Sequence, residues 1–479
     1  MPLETMRVEL IPSAKRLIRS LRDIGYEFVD AVADIVDNSV EAGATVISIV
    51  LKFDGEESYL TIADNGIGMA SKEIQEALRF GSSRAYDESD DLGRYGLGLK
   101  TASLSQCERL TVSARRGEER ARINSYCWDL DHIENTNRWE VLKIERDELK
   151  DEVWNHLQQT TGTVVTWERL GRLLGYKYPS GEYARKQSEQ MLSSLKMHLG
   201  MVFHRFLAGE VSGKRIAIYI NDQRVPAWDP YSRGEPNTQK LEPMLIPLEF
   251  NGEKYNIKVQ PYILPPQSLY SSPKAHLHAS GPGKWNKQQG LYIYRSNRII
   301  QAGGWSGLRT SDEHTKLVRM AVFIPSQLDE LFQVNVAKKH ANLPRELRAA
   351  LLHEIQPIVQ KGQEFYRAKQ LTPELSISSS QPTLVPVPQF NRADIENRQA
   401  MCNSDLSSTE DQTSGSVRSD WDDLIKSAKS RLKPANEVEK LSGIVSGIYG
   451  CATVDERRVL KELLNRYLSL QEGKQSRYV

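Results

Sequence analysis

The chain has 479 residues, 39% of them hydrophobic, and a formal charge of +1. That length allows two or three domains with ordinary cores, and the near-neutral balance excludes a global field for a polyanion, so any nucleic-acid contact must come from local patches. No apolar run approaches the roughly 20 residues that span a bilayer, MPLETMRVEL lacks a signal-peptide pattern, and Cys107, Cys127, Cys402 and Cys451 lack metal-ligand or disulfide spacing, which together predict a cytoplasmic protein without a membrane partner and with reduced cysteines.

In chain order, 11–25 reads as a short basic helix through Leu17, Ile18 and Leu21 that breaks at Gly25. The stretch YEFVDAVADIVDNSVEAGA, 26–44, follows. Phe28, Val32, Ile35, Val36 and Val40 fall at helical intervals on an apolar face, with Asp30, Asp34, Asp37, Asn38 and Glu41 off it. Asp34 and Asn38 lie one turn apart, and a carboxylate under a carboxamide suits a hydrated divalent cation and a water; alone, the pattern favours a solvated acidic face on a surface helix. The runs TVISIVLKF and SYLTIAD then predict a hairpin. The second run ends in IADNGIGM, where Asp64 at a strand end precedes Gly66, Gly68 and Met69. Its carboxylate can accept from a flat ligand's amino group, an adenine above all, while the glycines let backbone pass close by. A helix is expected from Ser71, its N-cap, to Phe80. Beyond it, GSSRAYDESDDLGRYGLGLKTAS carries Gly93, Tyr95, Gly96, Leu97, Gly98 and Lys100 into a new helix starting near Leu97. Free N–H groups and a helix N-terminus form a phosphate cradle there, and the polar residues before it predict a lid.

An acidic helix with Asn, then D-x-G-x-G, then a glycine-rich stretch ending G-L-G-L-K resembles the ordered boxes of the GHKL ATPases: gyrase, heat-shock chaperone, histidine kinase and MutL. The resemblance implies an α+β protein whose first domain has the Bergerat fold, a mixed sheet with helices on one face. It implies ATP and Mg²⁺ as ligands, with Asn38 on the metal, Asp64 on the adenine, and the Gly93–Lys100 backbone on the phosphates. Thr163, in the strand TGTVVTW, is the residue that the likeness places beside Asp64. Asp34 stands where MutL-like and gyrase-like members place a Glu general base, and it is one methylene shorter, which predicts slow turnover. Asp37 and Glu41 rank lower as bases, because Asp37 is rotated about 300° from Asp34 around the helix.

Farther on, Ser188–Leu207 returns to helical spacing, and RIAIYINDQRVPAWDP reads as two short strands about an Asn-Asp turn. GLYIYRSNRII, 290–300, is expected as one strand, and VRMAVFIP, 318–325, as another. This part resembles the S5-like α/β transducer domain of MutL, gyrase and MORC proteins. In FQVNVAKKHANLP the resemblance assigns Lys338, or else Lys339, to the γ-phosphate. His276 and His278 have metal-like spacing but no acidic or cysteine partner near them, and they read as a strand or loop pair. A helix continues over 349–367. The Ser-, Pro- and Gln-rich 372–419 reads as a linker, and 421–470 regains a helical stripe through Leu460, Leu463, Leu464 and Leu468.

The predicted organisation is thus an ATPase domain over 1–170, a transducer over 171–370, a linker over 371–419 and a small helical C-terminal module over 420–479 that docks a protein partner or packs on itself. Likeness to prokaryotic MORC and MutL-like proteins implies an ATP-gated homodimeric clamp on DNA in genome maintenance or anti-phage defence. Two other readings stay open: a chaperone-like ATPase on protein clients, and a slow ATP sensor that recruits an effector through its C-terminal helices.

Overall fold

In a computed structural model of the chain, residues 12–23, 25–81, 98–117, 122–333 and 341–368 are described. The chain divides into two units, Met1–Ser376 and Ile377–Val479. The linker and C-terminal module expected from the sequence lie outside the described residues, as do Lys338, Lys339 and the lid.

The first unit begins with α1 (Ala14–Arg22), capped where the Ser13 hydroxyl accepts from the Arg16 N–H. Next come α2 (Phe28–Glu41) and the expected antiparallel hairpin of β1 (Val46–Lys52) and β2 (Tyr59–Asp64), with Ile49 opposite Ile62. In α3 (Ser71–Leu78) Ser71 is not the cap. Its hydroxyl meets the Tyr126 hydroxyl at 2.7 Å, and Glu73 instead reaches back to accept from the Ala70 N–H at 2.7 Å. The chain continues through α4 (Gly98–Gln106), β3 (Arg109–Arg115), β4 (Asn124–Asp129), α5 (Leu130–Thr136), β5 (Leu142–Lys143), α6 (Asp151–Gln159) and β6 (Gly162–Glu168). After α7 (Gly171–Leu174), α8 (Glu182–Val202) and α9 (His204–Leu207) it returns as β7 (Ala217–Ile220) and β8 (Gln223–Arg224).

These strands make an eight-stranded sheet in the order β5-β4-β3-β6-β2-β1-β7-β8. It is mixed, as expected, because β7 runs parallel to β1 while the other pairs are antiparallel. The boundary drawn at residue 170 therefore falls inside the sheet's chain: 171–224 supplies its last two strands. Helices also cover both faces rather than one. Leu60, Ile62, Leu110, Val112, Val165 and Trp167 join the core that α2 closes, whereas Ala63, Cys127 and Val164 pack with Val153 and Leu157 of α6 on the opposite side. The sequence carries that reason in Val164-Val165, adjacent apolar residues that a strand sends to opposite faces. Trp167 is fully buried and meets the Phe28 ring edge-on at 6.5 Å, fixing the start of α2 on the sheet.

A second sheet is built from β9 (Gln239–Lys240), β10 (Met244–Phe250), β11 (Glu253–Ile263), β12 (Gly290–Arg295), β13 (Arg298–Ala302) and β14 (Val318–Ile324), in the order β10-β11-β14-β12-β13 with β9 on β11. Between β11 and β12 lie α10 (Pro273–Ala279) and α11 (Lys284–Gln288), and α12 (Arg345–Ala368) ends the described chain. Leu347, Leu351 and Ile355 of α12 pack with Val259, Met320 and Val322 of this sheet. The single strand expected over 290–300 is a hairpin. Ser296 and Asn297 take φ of +45° and +69°, the left-handed pair that a two-residue turn needs, and they reverse the chain before Arg298. His276 and His278 sit on α10 rather than on a strand or loop, and the His276 ring stacks on Trp285 at 4.7 Å. Among the described residues no helix is long and apolar enough to cross a membrane.

Replacing Trp167 by Ala should lower the stability of the first unit by about 3–5 kcal/mol, as for other fully buried large aromatics. Urea unfolding followed by circular dichroism checks it; a loss below 1 kcal/mol would show that Trp167 does not anchor α2.

Candidate functional site

The site forms where α2, the end of β2 and the start of α4 meet. From Ala31 to Asp37 every residue of α2 is buried, the two carboxylates included. Asp34 and Asp37 are 3% and 1% exposed. Two carboxylates inside a protein need compensation, since their desolvation opposes the charged form. It comes from Arg298, at the first position of β13, whose Nη1 donates to Asp34 Oδ1 at 3.2 Å and also to Asp37 Oδ2. Burial works against the Arg298 charge, but Asp37 and Asp34 outweigh it and hold the guanidinium above its ordinary pKa. The Tyr26 hydroxyl donates to Asp34 Oδ2 at 3.0 Å, and burial together with Asp34 raises its pKa, so it remains a donor. Asp34 Oδ2 also lies 3.8 Å from the point where a Cβ on Gly98 would sit, which places the carboxylate against the first turn of α4. Asn38 is half-buried on α2, and its backbone carbonyl accepts from the Ala42 N–H at 2.9 Å. Asp30, one turn before Asp34, faces His198 of α8 at 3.5 Å.

Asp64 ends β2 with its carboxylate held three ways. Oδ1 accepts from the Gly66 N–H at 2.9 Å and the Thr163 N–H at 3.2 Å, and Oδ2 accepts from the Ser39 hydroxyl at 3.0 Å. Burial raises its pKa, partly offset by those donors, Gly66 first. The loop after it is stitched to the end of α2. Asn65 Oδ1 accepts from the Thr45 and Val46 N–H groups, and the Ile67 N–H donates to the Ala42 carbonyl at 3.0 Å. The two loop glycines answer to the protein itself. A Cβ on Gly66 would come within 2.8 Å of the Ala42 carbonyl oxygen, and one on Gly68, at φ +65°, within 2.0 Å of the Arg115 carbonyl oxygen. Ile67 is 64% exposed and Met69 half-buried at the loop's outer side.

Lys100 has a different task from its neighbours in the motif. Its buried Nζ donates to the Ala77 and Arg79 carbonyls at 2.9 and 2.7 Å, closing the C-terminal end of α3, and it lies 5.8 Å from the Phe80 ring centroid. Desolvation pulls its pKa down to about 8. The side chain thus secures the base of the segment that leads away from α3, and only its backbone belongs to the first turn of α4. Gly93, Tyr95, Gly96 and Leu97 lie outside the described residues. Of the sequence-predicted positions, Asp34 and Gly98 come together at one end of the site, and Asp64, Gly66, Gly68 and Thr163 at the other. Ser39 joins the second group from the position next to Asn38. Sequence reading missed Ser39 and Arg298. Ser39 sat inside the D-N-S motif; Arg298, 264 residues from Asp34, gave no local signal.

A mixed sheet with an aspartate at one strand end, a glycine loop folded back on it and an Asn-bearing helix across its face defines a GHKL-type ATPase domain. Residues 26–163 match the family model of histidine kinase-, DNA gyrase B- and HSP90-like ATPases. Protein MICRORCHIDIA 5 of Arabidopsis thaliana is 38% identical over 94 residues, 18% of this chain and 13% of that protein. The DNA mismatch repair protein MutL of Rickettsia felis is 33% identical over 94 residues, 19% of this chain and 15% of its own length. ATPase morc-1 of Caenorhabditis elegans is 37% identical over 88 residues, 18% of this chain and 10% of its own. The likeness to these relatives is therefore confined to a small part of each.

The Lys100 environment has a pH signature. An unfolded lysine titrates near 10.5 and the folded one near 8, so between these values the unfolded chain holds more proton and stability gains with rising pH. Comparing urea midpoints of wild type and Lys100→Met from pH 7.5 to 10.5 should show the wild type gaining on the variant across that window. A flat difference would mean that the ammonium is not buried against α3.

Proposed function

We propose that the chain is a Mg²⁺-dependent ATPase that converts ATP and water to ADP and phosphate and works as a nucleotide-gated dimeric clamp, with DNA as the substrate clamped. The observation that carries the ATP reading is Asp64, a buried carboxylate aimed by three donors at the end of a strand, with Asp34 against the start of α4. The residues fit the ligands. Asp64 would accept from the adenine amino group, as Thr163 and Gly66 hold its other contacts. N–H groups in the first turn of α4 would receive phosphate oxygens, helped by the helix dipole. A magnesium ion takes few protein ligands and fills its shell with water and phosphate oxygens, which fits a single Asn38 carboxamide on α2. When bound, that ion supplies charge neutralisation on the phosphates. Asp34 is the base: as the water oxygen bonds to the γ-phosphorus and the bond to the β,γ-bridging oxygen breaks, Asp34 takes the water's proton. Lys338, with Lys339 as the alternative, would stabilise the charge that passes to the leaving oxygen.

Support for DNA and for the clamp is by kinship, through a relative named as a DNA mismatch repair protein and others named MICRORCHIDIA 5 and ATPase morc-1. Genome maintenance or anti-phage defence is the setting that the MORC- and MutL-like resemblance suggests.

Asp64→Asn should weaken nucleotide binding about tenfold to a hundredfold, the cost of a hydrogen bond to a charged group, as read by a fluorescent ATP analogue. Asp34→Asn should keep that binding and cut turnover by about a hundredfold or more. Unchanged hydrolysis in the second variant removes Asp34 as the base. Turnover measured with and without duplex DNA, over a range of salt, tests the substrate, since a DNA clamp should respond to DNA and lose that response as salt rises.

Light scattering on the full chain should show monomer without nucleotide and dimer with a non-hydrolysable ATP analogue and Mg²⁺. Monomer under both conditions sinks the clamp.

A further inference from the structure

Arg298 is the contact through which the second sheet enters the site. It follows the Ser296-Asn297 turn directly, so the hairpin of β12 and β13 sets where its side chain begins. The guanidinium is buried, 5.7 Å from the Phe203 ring centroid beside the end of α8, and it bridges Asp34 and Asp37. Stability alone does not account for such a cluster. Apolar side chains of similar volume would hold two layers together at least as well, without the desolvation of three charges. What the cluster adds is orientation. Tyr26 donates to Asp34 Oδ2 and Arg298 to Oδ1, so the plane of the carboxylate is set by one contact from its own domain and one from the other sheet. Asp37 shares the same Nη1 and keeps the arginine in place while it does so.

We propose that Arg298 is the positioning residue for Asp34, anchored by Asp37, so that the ATPase centre is complete only while the β12–β13 hairpin is seated on α2. Movement of the second sheet would then be read directly as a change in the aim of the base. The inference rests on the ATP-hydrolysis reading. It makes the second sheet part of the catalytic apparatus through a contact distinct from the Lys338 or Lys339 assignment. An arginine is suited to this position because its planar fork spans two carboxylates, whereas a lysine presents one point charge.

The test is a cycle in the full chain of wild type, Arg298→Met, Asp34→Asn and the double variant, with Arg298→Lys beside it. Arg298→Met should lower kcat about tenfold to a hundredfold, the usual penalty for losing a partner that orients a reacting group. Its affinity for a non-hydrolysable ATP analogue should stay within about twofold of wild type, because Asp64 and α4 carry binding. Arg298→Lys should recover part of kcat, and in the Asp34→Asn background Arg298→Met should cost nothing further. Losses that multiply independently, an unchanged kcat or a faster one in Arg298→Met would each overturn the proposal. Should Arg298→Met not fold by circular dichroism, Arg298→Lys takes its place in the same cycle. If wild type binds no nucleotide, the ATPase reading falls instead, and the cycle is then scored on unfolding midpoints. Non-additive losses keep the join between Arg298 and Asp34; additive losses overturn it.

Discussion

Charge buried along α2 is the constraint that the rest of the structure answers. Asp34 and Asp37 are both inside the fold, and Asp30 stands at its margin beside His198. A helix so placed cannot be closed by an apolar lid, because the carboxylates need donors within reach. The chain meets that need with Tyr26 just ahead of the helix and Arg298 on a hairpin of the second sheet, while His198 on α8 stands 3.5 Å from Asp30. Meeting it binds the two sheets together at the point where the chemistry is proposed. Function and architecture are thereby joined in one small group of side chains.

Asp64 shows a different solution to the same difficulty. Among the described residues two backbone N–H groups and one hydroxyl hold the carboxylate, and its burial still pushes its pKa upward. A site made this way is stiff, because each donor is fixed by a neighbouring element: Gly66 by its own loop, Thr163 by β6, Ser39 by α2. The loop glycines serve that stiffness. Gly66 and Gly68 allow the 64–69 loop to lie on the end of α2 and on the Arg115 carbonyl, so their first service is to packing within the protein. Lys100 likewise serves the scaffold, holding α3 where the glycine-rich segment begins.

Much of this was legible in local pattern. Helical spacing of Phe28, Val32, Ile35 and Val40 placed α2, β-branched runs placed the β1–β2 hairpin, and the D-x-G-x-G loop stood at a strand end. The order of the motifs carried more than any one of them. What escaped was long-range. Pairing of β7 with β1 joins Ala217 to Val46, and no window of sequence reports such a partner. In the sequence Arg298 looks like any arginine on a strand, and its value lies in what it meets. Two turns do have local signals: Ser296-Asn297 and Asn251-Gly252, between β10 and β11, are residue pairs of the kind that two-residue hairpin turns need. On α2 periodicity separates an apolar face from a polar one, but it does not report that Arg298 of the second sheet meets Asp34 and Asp37 on the polar side.

The ends of the first sheet carry a consequence of their own. Its outermost strands, β5 and β8, have two residues each, Leu142–Lys143 and Gln223–Arg224. Edges this short offer almost no row of unpaired N–H and C=O groups for a neighbouring chain to extend. This sheet is thereby guarded at both ends against extension by a neighbouring strand.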